Sequence, residues 1–284
     1  MTTQHTPADR THDISPAAHY DRVTDAWALL LGDDLHYGVF DEAAESLPTA
    51  THRLTTLMAD AADFHSGDRF LDVGCGVGTS TQWAARQHGL VGVGISTSGH
   101  GVARARANAA AAGLSESLTF EIRDGMRNEF ADESFDRVWA LESSHLMRDR
   151  TGLLRECGRV LRRGGRFTLC DIVLAQPITF QLVRSLRAEF GLLSRVFGDA
   201  RMETLDTYAE LAAAAGLEVD LRRDLSAQVR PTFSGWRANG LAHRAEVCAL
   251  IGVESWQEFM DSCDVLEQMW DREILGYGML SAIK

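Results

Sequence analysis

The 284-residue chain has a single lysine, Lys284, so arginine supplies the other 27 of its 28 basic residues. The lack of an internal lysine excludes catalysis through a lysine Schiff base. Acidic residues number 40 and give a formal net charge of −12. Nucleic acids and anionic membranes are bound by a basic protein face, which a chain with this balance does not favour. We therefore expect neither partner.

Cysteines and long apolar runs are also few. The five cysteines are an odd number, are widely spaced and form no Cys-x-x-Cys pair, so we expect neither a disulfide framework nor a metal site. The longest apolar run, residues 26–31, is far shorter than the roughly 20 residues of a spanning helix. Residues 1–16 lack the apolar core of a secretion signal and are expected to form a disordered tail. These features predict a cytoplasmic protein.

The order of predicted elements indicates an α/β fold. Short apolar runs alternate with longer helical patterns through the middle of the chain, as in βα units with a mostly parallel sheet. Five strands are predicted at 69–73, 90–95, 118–123, 135–141 and 166–173, and two more at 217–226 and 277–283. Residues 17–63 are predicted to form an N-terminal helical cap, followed by one domain over 64–284. A helical insert at about 178–203 is a candidate lid, although packing on the sheet is the commoner role of such helices.

The most informative segment follows the first predicted strand. Asp72 is followed by three alternate glycines, Gly74, Gly76 and Gly78, and then by a predicted helix. Glycines without a Cβ let backbone N–H groups and a positive helix terminus approach a ligand closely. We therefore expect a polar, nucleotide-like ligand at this turn.

A nicotinamide dinucleotide does not suit this turn. Its fingerprint requires a glycine where this chain has Thr79. It also requires an acidic residue about 20 positions further on to hold the ribose, and no Asp or Glu lies between Asp72 and Glu116. Both departures argue against an NAD enzyme.

The pattern Asp-x-Gly-x-Gly-x-Gly resembles the first motif of class I S-adenosylmethionine-dependent methyltransferases. Residues 123–126, 130–140 and 161–167 resemble three later motifs of the same family, in the same order. The resemblance implies a Rossmann-like, doubly wound sheet of seven strands with helices on both faces. It also implies S-adenosyl-L-methionine as cofactor, S-adenosyl-L-homocysteine as product, and no metal.

The resemblance assigns cofactor contacts to particular residues. It implies that Asp72 supports the glycine turn and the methionyl ammonium. At the end of the third strand, Asp124 would accept the adenine amine, with Gly125 beside it and Met126 covering the ring. Ser96 stands where the family usually has an acid for the ribose hydroxyls, and it lacks the strength of a charged partner.

Within the family, the chain resembles a subgroup that contains sugar O-methyltransferases, sarcosine and dimethylglycine N-methyltransferases, and tocopherol C-methyltransferases. The shared segments are Tyr20-Asp21, residues 35–38 and residues 141–147. They imply that Leu141 and Glu142 contact the cofactor. Tyr20, His36 and Tyr37 are expected to bind the acceptor, a small molecule. For His36 and Tyr37 the alternative is a loop that only caps the sheet.

Proton removal depends on the acceptor. A hydroxyl must lose a proton, so a histidine near the fourth strand suits a general base. His145 is the candidate, with Asp171 at the end of the fifth strand as its orienting partner, as in the sugar O-methyltransferases. The second histidine of their His-His pair is Leu146 here. O-methylation is therefore the leading hypothesis, with N- or C-methylation and a cofactor-retaining cyclase as alternatives. An insert facing the pocket would indicate a bulky apolar acceptor.

Overall fold

The structure, a computed structural model, describes residues 16–42 and 44–284. Within them one sheet contains seven strands: β1 (Arg69–Val73), β2 (Val91–Ser96), β3 (Leu118–Ile122), β4 (Phe135–Leu141), β5 (Leu161–Leu174), β6 (Glu218–Asp224) and β7 (Leu275–Ile283). Their spatial order is β3-β2-β1-β4-β5-β7-β6, and β7 alone runs antiparallel to its neighbours β5 and β6. The predicted mostly parallel, seven-stranded sheet is confirmed. The predicted tail lies outside the described residues, apart from Pro16.

The helices of the described residues surround this sheet. They are α1 (Pro16–Leu30), α2 (Leu47–Ala62), α3 (Thr79–His88), α4 (Gly99–Ala111), α5 (Arg150–Val160), α6 (Phe180–Ser185), α7 (Arg187–Phe197), α8 (Leu205–Ala214), α9 (Ser226–Val229), α10 (Thr232–Ala242) and α11 (Arg244–Asp271). The last is broken at Gly252, where φ is 86° and ψ is 158°. A short 3₁₀ helix, Ser144–Leu146, follows β4 and was not predicted.

Local sequence explains where several helices begin. Each of five residues at a helix start accepts a hydrogen bond through its side-chain oxygen from the backbone N–H three residues further along: Ser46, Ser98, Asp149, Thr179 and Thr204. These caps satisfy backbone donors that have no partner within the helix. The helix boundaries near the sheet edge are therefore encoded locally.

Alternate strand residues face two separate cores. Phe70 and Trp139 belong to a cluster with α1, α2, α3, α4, α10 and α11, whereas Leu71, Val73 and Val138 belong to a cluster with α5 and α8. This alternation follows from the period of two residues along a strand. Helices cover both faces, so the predicted doubly wound arrangement is confirmed.

The parallel strands β1 to β5 bring their carboxyl ends to one edge of the sheet, where open α/β sheets bind ligands. The segments that leave these strands carry most of the predicted site residues. The helical pair α6 and α7 falls within residues 178–203, where the insert was expected. No helix among the described residues combines the length and apolar character that a membrane span requires.

Candidate active site

A cavity of about 420 Å³ lies at the carboxyl ends of β1, β2 and β4. Nine of the ten predicted cofactor residues line it: Asp72, Gly74, Gly76, Ser96, Asp124, Gly125, Met126, Leu141 and Glu142. Tyr20 and His36, expected at the acceptor, line it too. We refer to this space as the first cavity.

The three glycines of the turn have different roles. All have positive φ, at 90°, 54° and 77° for Gly74, Gly76 and Gly78. A Cβ at Gly74 would overlap the side chain of Ser143, whereas one at Gly76 would meet no atom within 4 Å. A Cβ at Gly78 would lie 2.8 Å from Cε1 of Phe120. Gly78 therefore supports the turn by packing and does not line the cavity.

Asp72 is the buried carboxylate of this cavity. Its Oδ2 accepts a hydrogen bond of 2.5 Å from Oγ1 of Thr81 in α3. Burial, opposed by the hydrogen bond from Thr81, raises the pKa of Asp72 to about 6. A carboxylate held in so little water favours a cationic ligand beside it.

A second cavity of about 410 Å³ is mostly apolar. The insert contributes Val183, Phe190, Leu193 and Phe197, and α1 contributes Trp27. The insert helices thus line this cavity as well as packing on their neighbours. The other apolar side chains of its wall are Leu31, Leu35, Ile172, Leu174, Ile178, Met202, Trp236 and Leu266.

The two cavities adjoin at Tyr20, Leu35 and Glu142, which line both. Glu142 follows β4 with a φ of 46° and accepts a 2.8 Å hydrogen bond from the backbone N–H of Tyr37. The hydroxyl of Tyr277 also donates to Glu142. Burial, opposed by these two hydrogen bonds, raises the pKa of Glu142 to about 8. Glu142 is therefore a largely neutral carboxyl at the junction at neutral pH.

His145 lines the second cavity and pairs with Asp171 beneath it. Nδ1 of His145 lies 2.6 Å from Oδ1 of Asp171, and the backbone N–H of His145 donates to Oδ2 at 3.0 Å. Burial alone would raise the pKa of Asp171, but His145 and the donated hydrogen bonds outweigh it and hold that pKa below its usual value. Because the ionised carboxylate accepts from Nδ1, the neutral imidazole is left with Nε2 as a proton acceptor.

The loop residues His36 and Tyr37 are buried. The ring nitrogens of His36 lie 2.8 Å from the carbonyl oxygen of Tyr37 and 3.1 Å from Oγ1 of Thr55. Burial lowers the pKa of His36. Tyr37 lines the second cavity and its ring stacks on Trp270 at 5.9 Å. The structure thus places His36 at the first cavity and Tyr37 at the second.

Comparison with known proteins decides the family. The family model described as mycolic acid cyclopropane synthetase matches residues 8–274. A 27-O-demethylrifamycin SV methyltransferase from Amycolatopsis mediterranei is 36% identical over 232 residues, which is 79% of this chain and 84% of the relative. The chain is a class I S-adenosylmethionine-dependent methyltransferase.

Solved structures share the fold of this methyltransferase. The crystal structure of the cyclase SpnF is similar with a TM-score of 0.81 and 27% identity, covering 94% of this chain and 95% of that one. A mycolic acid cyclopropane synthase complexed with S-adenosylhomocysteine has a TM-score of 0.86 at 19% identity, covering 97% and 99%. At that identity the second likeness concerns the fold alone.

The first cavity of the methyltransferase fits its family's cofactor. S-adenosylmethionine carries a sulfonium and an ammonium, and the cavity offers the buried carboxylate of Asp72. Two arginines line the cavity, and each is paired with an acid outside it: Arg123 with Glu121 at 2.6 Å and Arg148 with Asp199 at 2.8 Å. The backbone at Gly76 is bare where a side chain would enter open space. The charge and the shape of the cavity therefore suit a cationic nucleoside.

Proposed function

We propose that this methyltransferase methylates a hydroxyl group of an apolar natural product, with His145 as general base. The observation that carries the proposal is the His145–Asp171 pair, with Nδ1 and Oδ1 2.6 Å apart, at the wall of an apolar cavity. That cavity adjoins the first cavity at Tyr20, Leu35 and Glu142. A hydroxyl beside His145 would therefore lie within reach of a methyl group presented from the first cavity.

In this proposal the first cavity holds the cofactor. Asp72 balances the methionyl ammonium, and Ser96 hydrogen-bonds the ribose. The carboxylate of Asp124 is exposed; its Oδ1 accepts from the backbone N–H of Met126 at 2.9 Å, and Oδ2 would accept the adenine amine, with Gly125 and Met126 beside the ring. Gly74 and Gly76 leave the backbone open to the amino-acid part of the cofactor. Leu141 and Glu142 complete the wall towards the acceptor.

The reaction needs alignment and one proton acceptor. When bound, S-adenosylmethionine supplies an electrophilic methyl group. His145 would take the hydroxyl proton on Nε2 so that the acceptor oxygen becomes the nucleophile, and the cofactor would supply the methyl group and be released as S-adenosylhomocysteine. Asp171 holds the imidazole and stabilises its positive charge. Tyr20, Tyr37 and the insert exclude water from the reacting atoms. They also hold the acceptor so that these atoms stay in line.

The acceptor cavity supports a bulky, apolar acceptor. Its volume of about 410 Å³ is in the range of small-molecule sites, and most of its wall is aliphatic or aromatic. The relative from Amycolatopsis mediterranei is named for a large acceptor, 27-O-demethylrifamycin SV. We therefore propose a natural-product alcohol as the acceptor class.

A direct test begins with calorimetric titration of S-adenosylmethionine and S-adenosylhomocysteine into the protein. The protein is then incubated with methyl-labelled S-adenosylmethionine and a panel of natural-product alcohols, 27-O-demethylrifamycin SV among them, with amines of similar size for comparison. The proposal expects label on oxygen, with release of S-adenosylhomocysteine. Label on nitrogen or carbon would overturn O-methylation. A rearranged product without S-adenosylhomocysteine would instead indicate the cyclase alternative.

A further inference from the structure

Asp171 has a second set of partners besides His145. Its Oδ2 accepts a hydrogen bond from Oγ of Ser144, the residue that begins the 3₁₀ helix after β4. The same Oγ lies 2.7 Å from the hydroxyl of Tyr208 in α8. Nε of Arg150 in α5 donates to that tyrosine hydroxyl at 3.1 Å. Two hydroxyls therefore connect Asp171 to Arg150, and we refer to these four residues as the relay.

The two ends of the relay fix the direction of its hydrogen bonds. Arg150 can only donate, and the ionised carboxylate of Asp171 can only accept. The hydroxyl of Tyr208 must then accept from Arg150 and donate to Ser144, and Ser144 must donate to Asp171. Both hydroxyls are used as donor and as acceptor, so the relay has one consistent arrangement.

The relay is buried along its whole length. Ser144, Tyr208 and Asp171 are 0% exposed and Arg150 is 6% exposed. Within the described residues no carboxylate lies within 4 Å of Arg150 in an ion pair. Burial of a cation is costly unless it is compensated, and hydrogen bonds in such surroundings polarise one another. Arg150 is therefore linked through two hydroxyls to the same carboxylate that holds the imidazole.

Arg150 also contacts the wall of the second cavity. Its Nη2 donates to the carbonyl oxygen of Arg201, and the backbone N–H of Arg201 donates to the carbonyl oxygen of His145 at 2.8 Å. Arg201 belongs to the segment that follows α7 and lines this cavity. One buried cation thus connects the carboxylate beneath His145 to the backbone beside it.

We propose that Ser144, Tyr208 and Arg150 are positioning residues that set the basicity of His145 through Asp171. The inference rests on the proposed role of His145 as general base. Donors on Oδ2 stabilise the carboxylate charge and weaken its hold on the imidazolium. The intact relay therefore makes Asp171 a weaker partner for a protonated His145 than it would be alone.

Other titratable groups lie near the His145–Asp171 pair, and their titration must be distinguished from that of His145. Burial raises the pKa of Tyr20, Tyr37 and Tyr277 far enough that they stay neutral through the range in which a histidine titrates. Burial raises the pKa of Glu142 to about 8, so its charge also changes near the range in which a histidine titrates. The remaining titratable and charged groups near His145 belong to the wall of the second cavity and the elements around it: His19, Arg148, Arg150, Cys170, Asp199, Arg201 and Tyr208. Because several groups surround it, the measurement must report the ring of His145 itself.

The test is a nuclear magnetic resonance titration of protein labelled with ¹³C and ¹⁵N in histidine, which needs no acceptor. The His145 signal is assigned by its loss in His145→Gln. In Ser144→Ala the pKa of His145 is expected to rise by about 0.5 to 1 pH unit, because a donor to a charged group is lost. Tyr208→Phe is expected to give a smaller rise. Ser262→Ala removes a buried serine hydroxyl that donates to the carbonyl oxygen of Phe259, so it is the matched control and should leave the pKa of His145 unchanged.

The outcomes separate the relay from the proposed function. An unchanged or lower pKa in Ser144→Ala and Tyr208→Phe, with near-ultraviolet circular dichroism confirming the fold, would overturn the relay. An equal rise in Ser262→Ala would overturn it too, because the effect would not be specific. If Ser144→Ala does not fold, Tyr208→Phe alone decides. Asp171→Asn should lower the pKa of His145 by removing the anion, and no change there would overturn the proposed base itself.

Discussion

Replacement of Glu142 by glutamine should make the free energy of unfolding of the cofactor-free protein fall much less as pH rises. Burial raises the pKa of Glu142 to about 8 from the ordinary 4.5. In the unfolded chain the group has its ordinary pKa. Between pH 4.5 and 8 the folded state therefore binds more protons than the unfolded state, so the free energy of unfolding falls as pH rises through this interval.

The magnitude follows from the same two values. A folded-state pKa of about 8 against 4.5 corresponds to about 5 kcal/mol, with the full cost present above pH 8 and none below pH 4.5. Glutamine carries no charge, and its Oε1 can still accept from the backbone N–H of Tyr37 and the hydroxyl of Tyr277. Its amide group needs a partner in the cavity, which offsets the gain by about 1 to 3 kcal/mol. The net gain above pH 8 is then about 2 to 4 kcal/mol.

The assay is urea unfolding of the cofactor-free protein at pH 5 and at pH 9. The wild type should lose stability between the two values by a larger amount than Glu142→Gln. Asp72, with its raised pKa of about 6, contributes to both proteins, so the difference between them isolates Glu142. Glu254→Gln changes an exposed glutamate of α11 and should behave as the wild type. Equal pH dependence in Glu142→Gln and the wild type would refute the burial argument.

Three further substitutions test the first cavity and its cover. Gly74→Ala should lower the melting temperature more than Gly67→Ala, because both glycines have positive φ but a Cβ clashes only at Gly74. Equal losses in melting temperature would contradict the conclusion that Gly74 is required for the close contact with Ser143. Asp124→Ala should raise the dissociation constant of S-adenosylmethionine by about 5- to 150-fold in calorimetry, since a hydrogen bond to a charged group is lost; unchanged affinity would remove Asp124 from the site. Asp21 accepts a 2.5 Å hydrogen bond from Ser98 and so holds α1 against α4. Asp21→Ala should therefore increase the dissociation rate of S-adenosylhomocysteine, measured by stopped-flow fluorescence. An unchanged rate would mean that α1 does not retain the ligand.

Much of the fold could be predicted because its signals are local. β1 and β4 occur at the predicted residues 69–73 and 135–141, since short apolar runs next to turn residues define a buried strand. β5 begins at Leu161, five residues earlier than predicted, because Leu161 already pairs with Phe135 of β4, and residues 162–165 form an irregularity before the pairing resumes at Arg166. The glycine turn could be placed for the same reason, because its residues are contiguous.

The parts that could not be predicted depend on contacts between distant segments. Tyr208 lies 64 residues from Ser144, and no pattern in α8 indicates that its hydroxyl meets the sheet edge. Tyr277 lies 135 residues from Glu142, so their hydrogen bond has no sequence signal, and neither does the burial that raises the pKa of that carboxyl. The Trp236 side chain belongs to the core and also lines the second cavity, because α10 packs beside α1, which no local pattern indicates.

The central claim is methyl transfer to a hydroxyl with His145 as the base, and single-turnover transfer of a labelled methyl group tests it most directly. With an alcohol acceptor and saturating S-adenosylmethionine, the wild type should place the label on oxygen. His145→Ala should lower the rate by about 10²- to 10⁴-fold while leaving the dissociation constant of the cofactor unchanged, because the residue lines only the second cavity. An undiminished rate in His145→Ala would contradict the account.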